Sequence, residues 1–208
     1  TGLPMGVDRH FKYLALLTKT TDPTMQASRR YYGKLTDGNL FYRGIELRRH
    51  DTPPLIKEMQ TSMMETLFDA DTGEEVLRDQ VPRALEIADK TCRMVRKGKA
   101  RAEDLVISKR LRRDLHEYQS LQPHIVAAML GEEMEENSNF IFVNTERRNP
   151  YMRVMPAQML NGTRKAYDKR KYFELTRRAA WNLLRPFIPD EETIGGEKLR
   201  LSRLDMYS

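Results

Sequence analysis

The segment from Ser28 to Asp51 concentrates side chains that could bind a polyanion. It reads SRRYYGKLTDGNLFYRGIELRRHD, with arginine pairs at both ends and two tyrosines after the first pair. Lysine and arginine bind phosphates and release counterions, which gives affinity without choice of base sequence. The segment therefore predicts contacts with the sugar-phosphate backbone of a duplex, and the net charge of +6 also favours a polyanionic partner.

Two further clusters are strongly basic. Between Lys90 and Arg113 the chain has ten Lys or Arg against two Asp or Glu, and between Arg164 and Arg178 it has seven against two. A run of charges is usually a solvated face of a protein. Three such clusters in one chain, each with aromatic residues close by, weaken that interpretation and favour phosphate contacts.

Metal ligands are not grouped in the sequence. The chain has no HExxH, CxxC or glycine-rich phosphate loop, and its histidines show no ligand spacing. The four histidines are His10, His50, His116 and His124. The sequence therefore predicts no metal site in this chain.

No catalytic side chains stand out either. Cys92 lies on an apolar helical stripe, which indicates packing in the core rather than a nucleophile. Asp69 and Asp71 stand next to Gly73, a pattern typical of a turn and a helix cap. No Ser/His/Asp or Cys/His set is apparent. By itself, the chain does not look catalytic.

The composition sets the class of protein. With 208 residues the chain can bury a core, so disulfide bonds are not needed for stability. The single cysteine excludes a disulfide framework and fits a reducing compartment, so we expect a cytoplasmic protein. No apolar run approaches the ~20 residues that span a bilayer, so we expect no membrane partner.

Strands must position the first basic segment. Phe11 to Leu17 (FKYLALL) is a near-continuous apolar run and predicts a buried strand. Tyr31 to Leu35 and Leu40 to Leu47 flank the pair Asp37-Gly38, which favours hairpin turns. These two stretches therefore predict a β-hairpin.

Helices dominate the rest of the pattern. Asp51-Thr52 resembles an N-cap with Pro53 at the first helical position, and apolar residues at helical spacing continue to Phe68. The same periodicity predicts helices over Val81 to Val95, over His116 to Leu130 with an interruption near Pro123, and over Lys169 to Leu184.

The whole pattern indicates an α+β fold, with a small β-rich segment followed by a mostly helical domain. Phe140 to Val143 predicts a short strand, and Arg147 to Pro156 a loop. We expect a first segment over residues 1–50, a larger domain over 51–189 and a C-terminal tail over 190–208.

Several motifs, taken in order, resemble DNA polymerases of family B. In that family a Lys-Lys-Arg-Tyr stretch is followed by a hairpin, a Gly-[Ile/Leu]-Glu-x-x-Arg-x-Asp run and the thumb. The corresponding stretches here are Ser28-Arg29-Arg30-Tyr31, Gly44 to Asp51, Leu105 to Leu111, Leu115 to Tyr118 and Gln122 to Ala128. Their order and spacing agree from about Phe11 to Phe187. The resemblance implies a C-terminal palm segment over 1–50, a thumb domain over 51–189 and the tail.

The departures from the family pattern matter for function. Ser28 and Arg29 replace the two family lysines, so one charge is lost and one is kept. The catalytic aspartate motifs and the fingers helix of the family lie upstream and do not occur in this sequence. The chain resembles either the small subunit of a split archaeal polymerase, which we favour, or a piece cut from a longer polymerase.

The resemblance implies a division of labour between two polypeptides. Carboxylates of a larger catalytic chain would hold Mg²⁺ against the primer and the incoming nucleotide. This chain would complete its palm in a heterodimer and grip the primer–template DNA during replication, with no catalytic residue of its own. The implied DNA contacts are Arg29, Arg30, Tyr31, Arg48, Arg49, Lys109, Arg110, Arg113, Tyr118 and His124.

Some of these roles stay open. Arg29 and Tyr31 would lie at the minor groove near the primer terminus, although Tyr31 could instead pack on a strand face. Arg48 and Arg49, as neighbours on a predicted strand, would point to opposite faces, so at most one would meet DNA and the other would pair with an acid. Tyr118 and His124 fit buried packing as well as DNA contact.

Other functions remain as alternatives. The chain could be a stand-alone nucleic-acid-binding protein derived from a polymerase thumb, or its strands could serve only to hold another protein. A sliding clamp would be a further partner if the C-terminus carried a Gln-x-x-Leu-x-x-Phe-Phe box. Leu199 to Ser208 matches that box poorly, because it has no Gln and a single aromatic residue, Tyr207.

Overall fold

The computed structural model describes residues 8–19, 22, 25–131, 136–160, 167–188 and 194–195. Within them the fold is α+β, as predicted. Leu199 to Ser208, considered above for a clamp box, lies outside the described residues. Among the described helices, none combines the length and the apolar character needed to cross a membrane.

The first sheet is antiparallel with the order β1-β2-β3. Its strands are β1 (Phe11–Thr18), β2 (Gln26–Leu35) and β3 (Leu40–Arg43). The predicted hairpin is confirmed: the Asp37 carboxylate accepts a hydrogen bond from the Asn39 backbone at 2.9 Å, and Gly38 has a φ of 90°, which favours glycine. The second arm ends at Arg43 rather than Leu47.

The strand predicted from Phe11 to Leu17 forms, but it is buried on one face only. Ala15 and Leu17 are buried in the core, whereas Leu14 and Leu16 are about half exposed. A continuous apolar run usually indicates a strand covered on both faces. Here the alternation of burial shows that the described chain covers one face of β1 and leaves the other open.

Five helices follow: α1 (Pro54–Leu67), the single turn α2 (Gly73–Glu75), α3 (Val81–Arg96), α4 (Pro123–Gly131) and α5 (Lys169–Leu184). A π-helical turn, Val76–Gln80, joins α2 to α3. The helix predicted at Lys169 to Leu184 is confirmed at both ends. It begins there because the Asp168 carboxylate accepts from the Lys171 backbone at 2.9 Å.

Two other predicted helix starts are wrong. The N-cap of α1 is Pro53, one residue later than predicted, because the Thr52 hydroxyl donates to the Glu46 carbonyl at 2.8 Å and does not cap the helix. The helix predicted from His116 forms only from Pro123; Leu115–Glu117 is instead a 3-10 turn. Proline is tolerated at the first helical position but breaks a helix interior.

The second sheet was not predicted as a unit. It has the antiparallel order β4-β5-β6, with strands β4 (Ile107–Arg110), β5 (Asn137–Phe142) and β6 (Val154–Pro156). The strand β6 lies in the segment predicted to be a loop. Its three residues carry too little periodicity to predict a strand, and pairing with β5 decides the conformation.

Two apolar clusters form the core, and three helices contribute to both. The first joins β1 and β2 to α1, α3 and α5 through residues such as Leu17, Met63 and Leu183. The second joins the second sheet and α4 to Val95 of α3 and Tyr172 of α5. The helix α5 therefore links the two sheets and fixes the space between them.

Candidate nucleic-acid interface

A cleft of about 530 Å³ opens between the exit of the first sheet, the second sheet and α5. Its walls carry five cationic side chains against two carboxylates, so its potential is positive. We call it the basic cleft. The cations are Arg30, Arg49, Lys109, Lys171 and Arg178, and the carboxylates are Glu46 and Asp51.

Four of the ten predicted DNA-contacting residues line the basic cleft. They are Arg30, Arg49, Lys109 and His124. Two come from the segment Ser28 to Asp51 and two from the second basic region and the helix beyond it. The fold thus brings together side chains that the sequence separates by about 60 to 90 positions.

A close backbone approach positions Arg30. Gly44 has a φ of 71°, and a Cβ there would lie 2.7 Å from the Arg29 carbonyl oxygen. Glycine at this position therefore lets β2 and the end of β3 meet. The Arg30 Nε then donates to the Gly44 carbonyl at 3.0 Å, which holds the guanidinium at the rim of the cleft.

The two arginines of the Arg48-Arg49 pair do not lie on a strand, so their predicted placement on opposite strand faces is wrong. Arg48 ends the 3-10 turn Glu46–Arg48 and is exposed. Arg49 follows the turn and donates two hydrogen bonds to Asp51, at 2.9 and 2.8 Å. These bonds lower the pKa of the Asp51 carboxyl, so Asp51 stays ionised in the cleft.

Lys109 and His124 form the opposite wall. Lys109 is exposed on β4, and His124 is buried in the first turn of α4. Burial, and then the charge of Lys109, lower the pKa of His124, which favours the neutral imidazole. His124 therefore adds no charge to the cleft at neutral pH.

The remaining predicted residues lie outside the cleft. Arg29, Arg48, Arg110 and Arg113 are exposed, and Arg110 forms an ion pair with Glu136 at 3.4 Å. The Tyr31 ring packs against the rings of Phe11 and Phe41 on the face of the first sheet that points away from the helices.

Tyr118 has a clear structural contact. Its hydroxyl accepts a hydrogen bond from the Arg112 backbone at 2.8 Å, and its ring meets the His124 ring edge-on. It is half-buried rather than fully enclosed. This geometry ties the turn after β4 to the start of α4, next to the basic cleft.

The prediction missed two cations of the cleft, Lys171 and Arg178 on α5. Both belong to the basic run from Arg164 to Arg178. Positions seven apart lie on one face of a helix, and Leu175 and Asn182 of that face also line the cleft. Helical spacing within the basic run thus shows that they share a face of α5, and the tertiary fold shows that this face meets the cleft.

Glu46 is a third residue that the prediction missed. Its two carboxylate oxygens accept hydrogen bonds from Asn182 of α5 at 2.5 Å and from Gln60 of α1 at 3.0 Å. Gln60 also donates to the Ala179 carbonyl at 2.9 Å. Glu46 thus joins the exit of the first sheet to two helices, and we call these contacts the Glu46 joint.

The cleft carboxylates do not fit a catalytic magnesium site. Glu46 is engaged in its joint and Asp51 by Arg49, so neither has the free oxygens that Mg²⁺ requires. Elsewhere in the described chain, Asp114, His116 and Glu117 have potential ligand atoms within 4.8 Å of one another. All three are exposed on a turn, which is common in proteins that bind no metal.

The size and lining of the cleft limit what it could hold. Its volume is in the range of small-ligand pockets, about 300–1,000 Å³, so a whole duplex cannot enter. Apolar side chains such as Ile107 and Phe140 form part of its lining together with the cations. The arrangement suits one strand of a nucleic acid lying along the rim, with its phosphates against the cations.

Comparison with known proteins identifies the family of this chain. The model of DNA polymerase family B matches residues 6–186. The DNA polymerase of Archaeoglobus fulgidus is 32% identical over 107 residues, which cover 51% of this chain and 12% of that polymerase. DNA polymerase II of Escherichia coli is 30% identical over 111 residues, which cover 51% of this chain and 13% of the relative.

A wider match is found in a virus. The DNA polymerase catalytic subunit of human herpesvirus 7 is 26% identical over 212 residues, covering 86% of this chain and 20% of the viral subunit. The chain thus spans between about an eighth and a fifth of the length of these relatives.

The solved structures agree on the fold. The family B DNA polymerase from the hyperthermophilic archaeon Pyrobaculum calidifontis superposes with a TM-score of 0.62 at 23% identity, over 85% of this chain and 22% of that one. The family match covers most of the sequence, from before β1 to beyond α5. The chain therefore belongs to DNA polymerase family B.

Proposed function

We propose that this chain is the thumb-bearing part of a DNA-directed DNA polymerase and that it grips primer–template DNA. The single observation that carries the proposal is the basic cleft. It joins the exit of the first sheet to the second sheet and α5, and it has five cations around an apolar lining. Family membership gives this charge pattern its meaning, because a polymerase must hold a growing duplex of any sequence.

The grip would act by position and charge. Arg30, Lys109 and Arg178 come from three different elements, so a strand that meets all three is fixed in direction as well as in place. Contacts to phosphates do not depend on base sequence. A fixed primer terminus would speed nucleotidyl transfer greatly, because small displacements of the reacting atoms lower its rate steeply.

Arg29 and Tyr31 would extend the grip towards the primer terminus. Arg29 is exposed in the irregular part of β2, where the pairing with β1 shifts between Leu16 and Thr18. Purine N3 and pyrimidine O2 acceptors are common to all correct pairs in the minor groove. A donor at Arg29 could therefore sense pairing without reading sequence.

The chemistry would come from a larger polypeptide. The described carboxylates of the cleft are engaged, so we derive no step of nucleotidyl transfer from this chain. A larger catalytic chain would hold Mg²⁺, and the two would form a heterodimer in DNA replication. The assembled polymerase would be cytoplasmic, and a sliding clamp would be a further partner.

Salt-dependent DNA binding tests the grip. Binding of a labelled primer–template duplex is measured by fluorescence anisotropy over a range of salt concentrations. The triple variant Lys109→Ala, Lys171→Ala, Arg178→Ala should reduce the slope of log K against log salt by about 1 per lost phosphate contact. A matched variant, Lys19→Ala, Arg78→Ala, Arg83→Ala, removes the same charge from exposed cations outside the cleft and outside the three basic clusters, and it should change the slope much less.

Primer extension separates the proposal from its main alternative. We expect no extension by this chain alone and extension when a larger family B polypeptide from the same organism is added. Extension by the purified chain alone contradicts the proposed division of labour. Duplex binding without any effect on the larger polypeptide supports a stand-alone nucleic-acid-binding protein instead.

A further inference from the structure

The face of the first sheet that points away from the helices carries exposed apolar side chains. Leu14 and Leu16 are 46% and 45% exposed. In the strand register Leu16 lies opposite Tyr31, and Gly33 lies opposite both Leu14 and Phe41. Residues directly opposite each other share a face of a sheet. These side chains therefore form one continuous surface, which we call the open face.

Three aromatic rings extend the open face at the end nearest the hairpin. Phe11 meets Tyr31 and Phe41 edge-on, at centroid distances of 6.3 and 6.0 Å, and Tyr31 stacks on Phe41 at 5.9 Å. The Arg9 guanidinium lies over the Phe41 ring at 4.1 Å. Because the rings pack on each other and on Arg9, they are not free to stack on bases, and the exposed leucines beside them suit an apolar protein surface.

The charges around the open face have one dominant sign. Arg43 lies opposite Tyr31 and is exposed on the same face, and Arg29 is exposed close by in β2. Arg9 is paired with Asp8 at 2.8 Å. A second copy of the chain would bring the same cations against these, which is unfavourable. A partner with carboxylates around an apolar centre would be complementary.

The edge of the sheet beside the open face is also available. In the described chain β1 is the outer strand of the sheet and pairs with β2 only. Exposed edges that carry apolar residues invite pairing or aggregation unless another surface covers them. An apolar face and a free edge on the same strand thus point to the same kind of partner.

We propose that the open face, centred on Leu14 and Leu16 with Arg43 at its rim, is the surface that binds the larger polymerase polypeptide. The partner surface is apolar at its centre and carries Asp or Glu at its margin. This inference rests on the proposed function, because it takes the partner from there. It adds the location of the contact, on a surface separate from the residues that line the basic cleft.

The double variant Leu14→Ser, Leu16→Ser tests the surface. Both side chains are exposed, so the variant should fold, which circular dichroism and thermal unfolding verify. The matched control is Leu121→Ser, Met152→Ser, which removes two apolar side chains of 45% and 52% exposure outside the first sheet. Binding to the larger family B polypeptide of the same organism is measured by calorimetry.

We expect the Leu14 and Leu16 variant to bind the larger polypeptide at least about 30-fold more weakly, as for central apolar contacts of an interface, and the control to bind like the natural chain. The variant Arg43→Glu should bind more weakly at low salt, with a difference that shrinks as salt is added. In the leucine variant and in its control, binding of the primer–template duplex should change little.

The outcomes distinguish this inference from the proposed function. If the larger polypeptide does not bind the natural chain, the proposed heterodimer is wrong. If it binds and the Leu14 and Leu16 variant binds equally well, only the location is wrong. Dimers of the natural chain in sedimentation that the variant abolishes, or loss of single-stranded DNA binding in the variant, would overturn the inference in favour of a second copy or of nucleic acid.

Discussion

The two sheets each have three antiparallel strands in sequential order but expose different surfaces. The first turns one face to the helices and leaves Leu14 and Leu16 exposed on the other. The second contributes Ile107, Phe140 and Ile141 to the core, and Ile107, Phe140 and Phe142 also line the basic cleft. An uncovered apolar face suits a protein partner, whereas an apolar lining ringed by cations suits a nucleic acid strand. Sheets with the same strand order can therefore expose surfaces of different chemistry.

Both sheets are attached to α5 by a buried tyrosine, but the attachments differ in number. The Tyr32 hydroxyl of the first sheet donates to the Leu183 carbonyl. The Tyr172 hydroxyl of α5 donates to the Leu105 carbonyl at 2.8 Å and accepts from the Phe142 backbone at 3.0 Å. Leu105 ends the 3-10 turn Glu103–Leu105 before β4, so Tyr172 ties α5 to that turn as well as to β5 and makes one hydrogen bond more than Tyr32.

The largest expected effect compares these tyrosines. Tyr172→Phe leaves two buried backbone groups unpaired and should lower the free energy of unfolding by about 2–4 kcal/mol, whereas Tyr32→Phe leaves one and should cost about 1–2 kcal/mol. Urea unfolding measures both. Tyr151→Phe, at an exposed residue, is the control and should change little. Equal costs for the two buried tyrosines would show that the additional hydrogen bond of Tyr172 contributes nothing to stability.

The sequence predicts the first sheet and α5 well because their signals are local. The Asp37-Gly38 pair and the apolar stripe of α5 act within a few residues, so tertiary contacts need not be known. The second sheet depends on pairing between β4 and β5, which lie far apart in sequence, and on a β6 of three residues. No local pattern carries that information.

The candidate site shows the same difference between local signals and tertiary contacts. Arg30, Arg49, Lys109 and His124 could be named because they stand in family motifs. Lys171 and Arg178 were inside a basic run, but nothing in the sequence shows which face of α5 meets the second sheet. The role of Glu46 depends on amides from two helices, and these are brought together only by the tertiary fold.

Glu46→Gln tests whether the two sheets are held in one arrangement. The carboxylate accepts from Asn182 and Gln60, and an amide cannot accept at both positions, so one donor is left unpaired. We expect a loss of about 2 kcal/mol in the free energy of unfolding. Duplex affinity should fall as well, because Arg30 and Lys109 then lose their fixed separation.

The control for this variant is Thr61→Ala on the same helix α1, where the hydroxyl donates to the Lys57 carbonyl at 3.0 Å. It should change neither duplex affinity nor its salt dependence. If Glu46→Gln lowers stability but leaves duplex binding unchanged at a temperature where the variant is folded, the two sheets need no joint to grip DNA.

Alkaline pH should weaken both tyrosine attachments. Burial raises the pKa of Tyr32 and of Tyr172 above the ordinary value of about 10. A raised pKa in the folded state means that stability is fully present below pH about 10 and is lost as pH rises towards the folded-state pKa. Each tyrosine should contribute a loss of about 1.4 kcal/mol per pH unit in that window.

Unfolding of the natural chain and of the two phenylalanine variants, followed from pH 9 upwards at equal ionic strength, measures this slope. Each variant lacks the contribution of one tyrosine to this slope. Its free energy of unfolding should therefore fall less steeply with pH than that of the natural chain. Identical slopes in all three would mean that other groups, such as lysines, control alkaline unfolding and that the two sheets do not differ in this respect.

The smallest expected effect concerns the backbone of the first sheet. Arg29 has a φ of 59°, a left-handed conformation that costs a residue with a side chain about 1–2 kcal/mol. Glycine adopts it freely but loses more entropy on folding, about 0.5–1 kcal/mol. Arg29→Gly should therefore raise the free energy of unfolding by about 0.5–1 kcal/mol, since the strain that it removes exceeds the entropy that it adds.

The same variant should weaken duplex binding, because it removes the exposed guanidinium. Arg29→Ala separates the two effects: it removes the charge but keeps the strained backbone, so affinity should fall without a gain in stability. If Arg29→Gly raises the free energy of unfolding and weakens duplex binding, the strained backbone at Arg29 is kept for DNA binding. If Arg29→Gly is more stable and binds the duplex as before, Arg29 has no part in the grip. The basic cleft must then supply the contacts to the duplex.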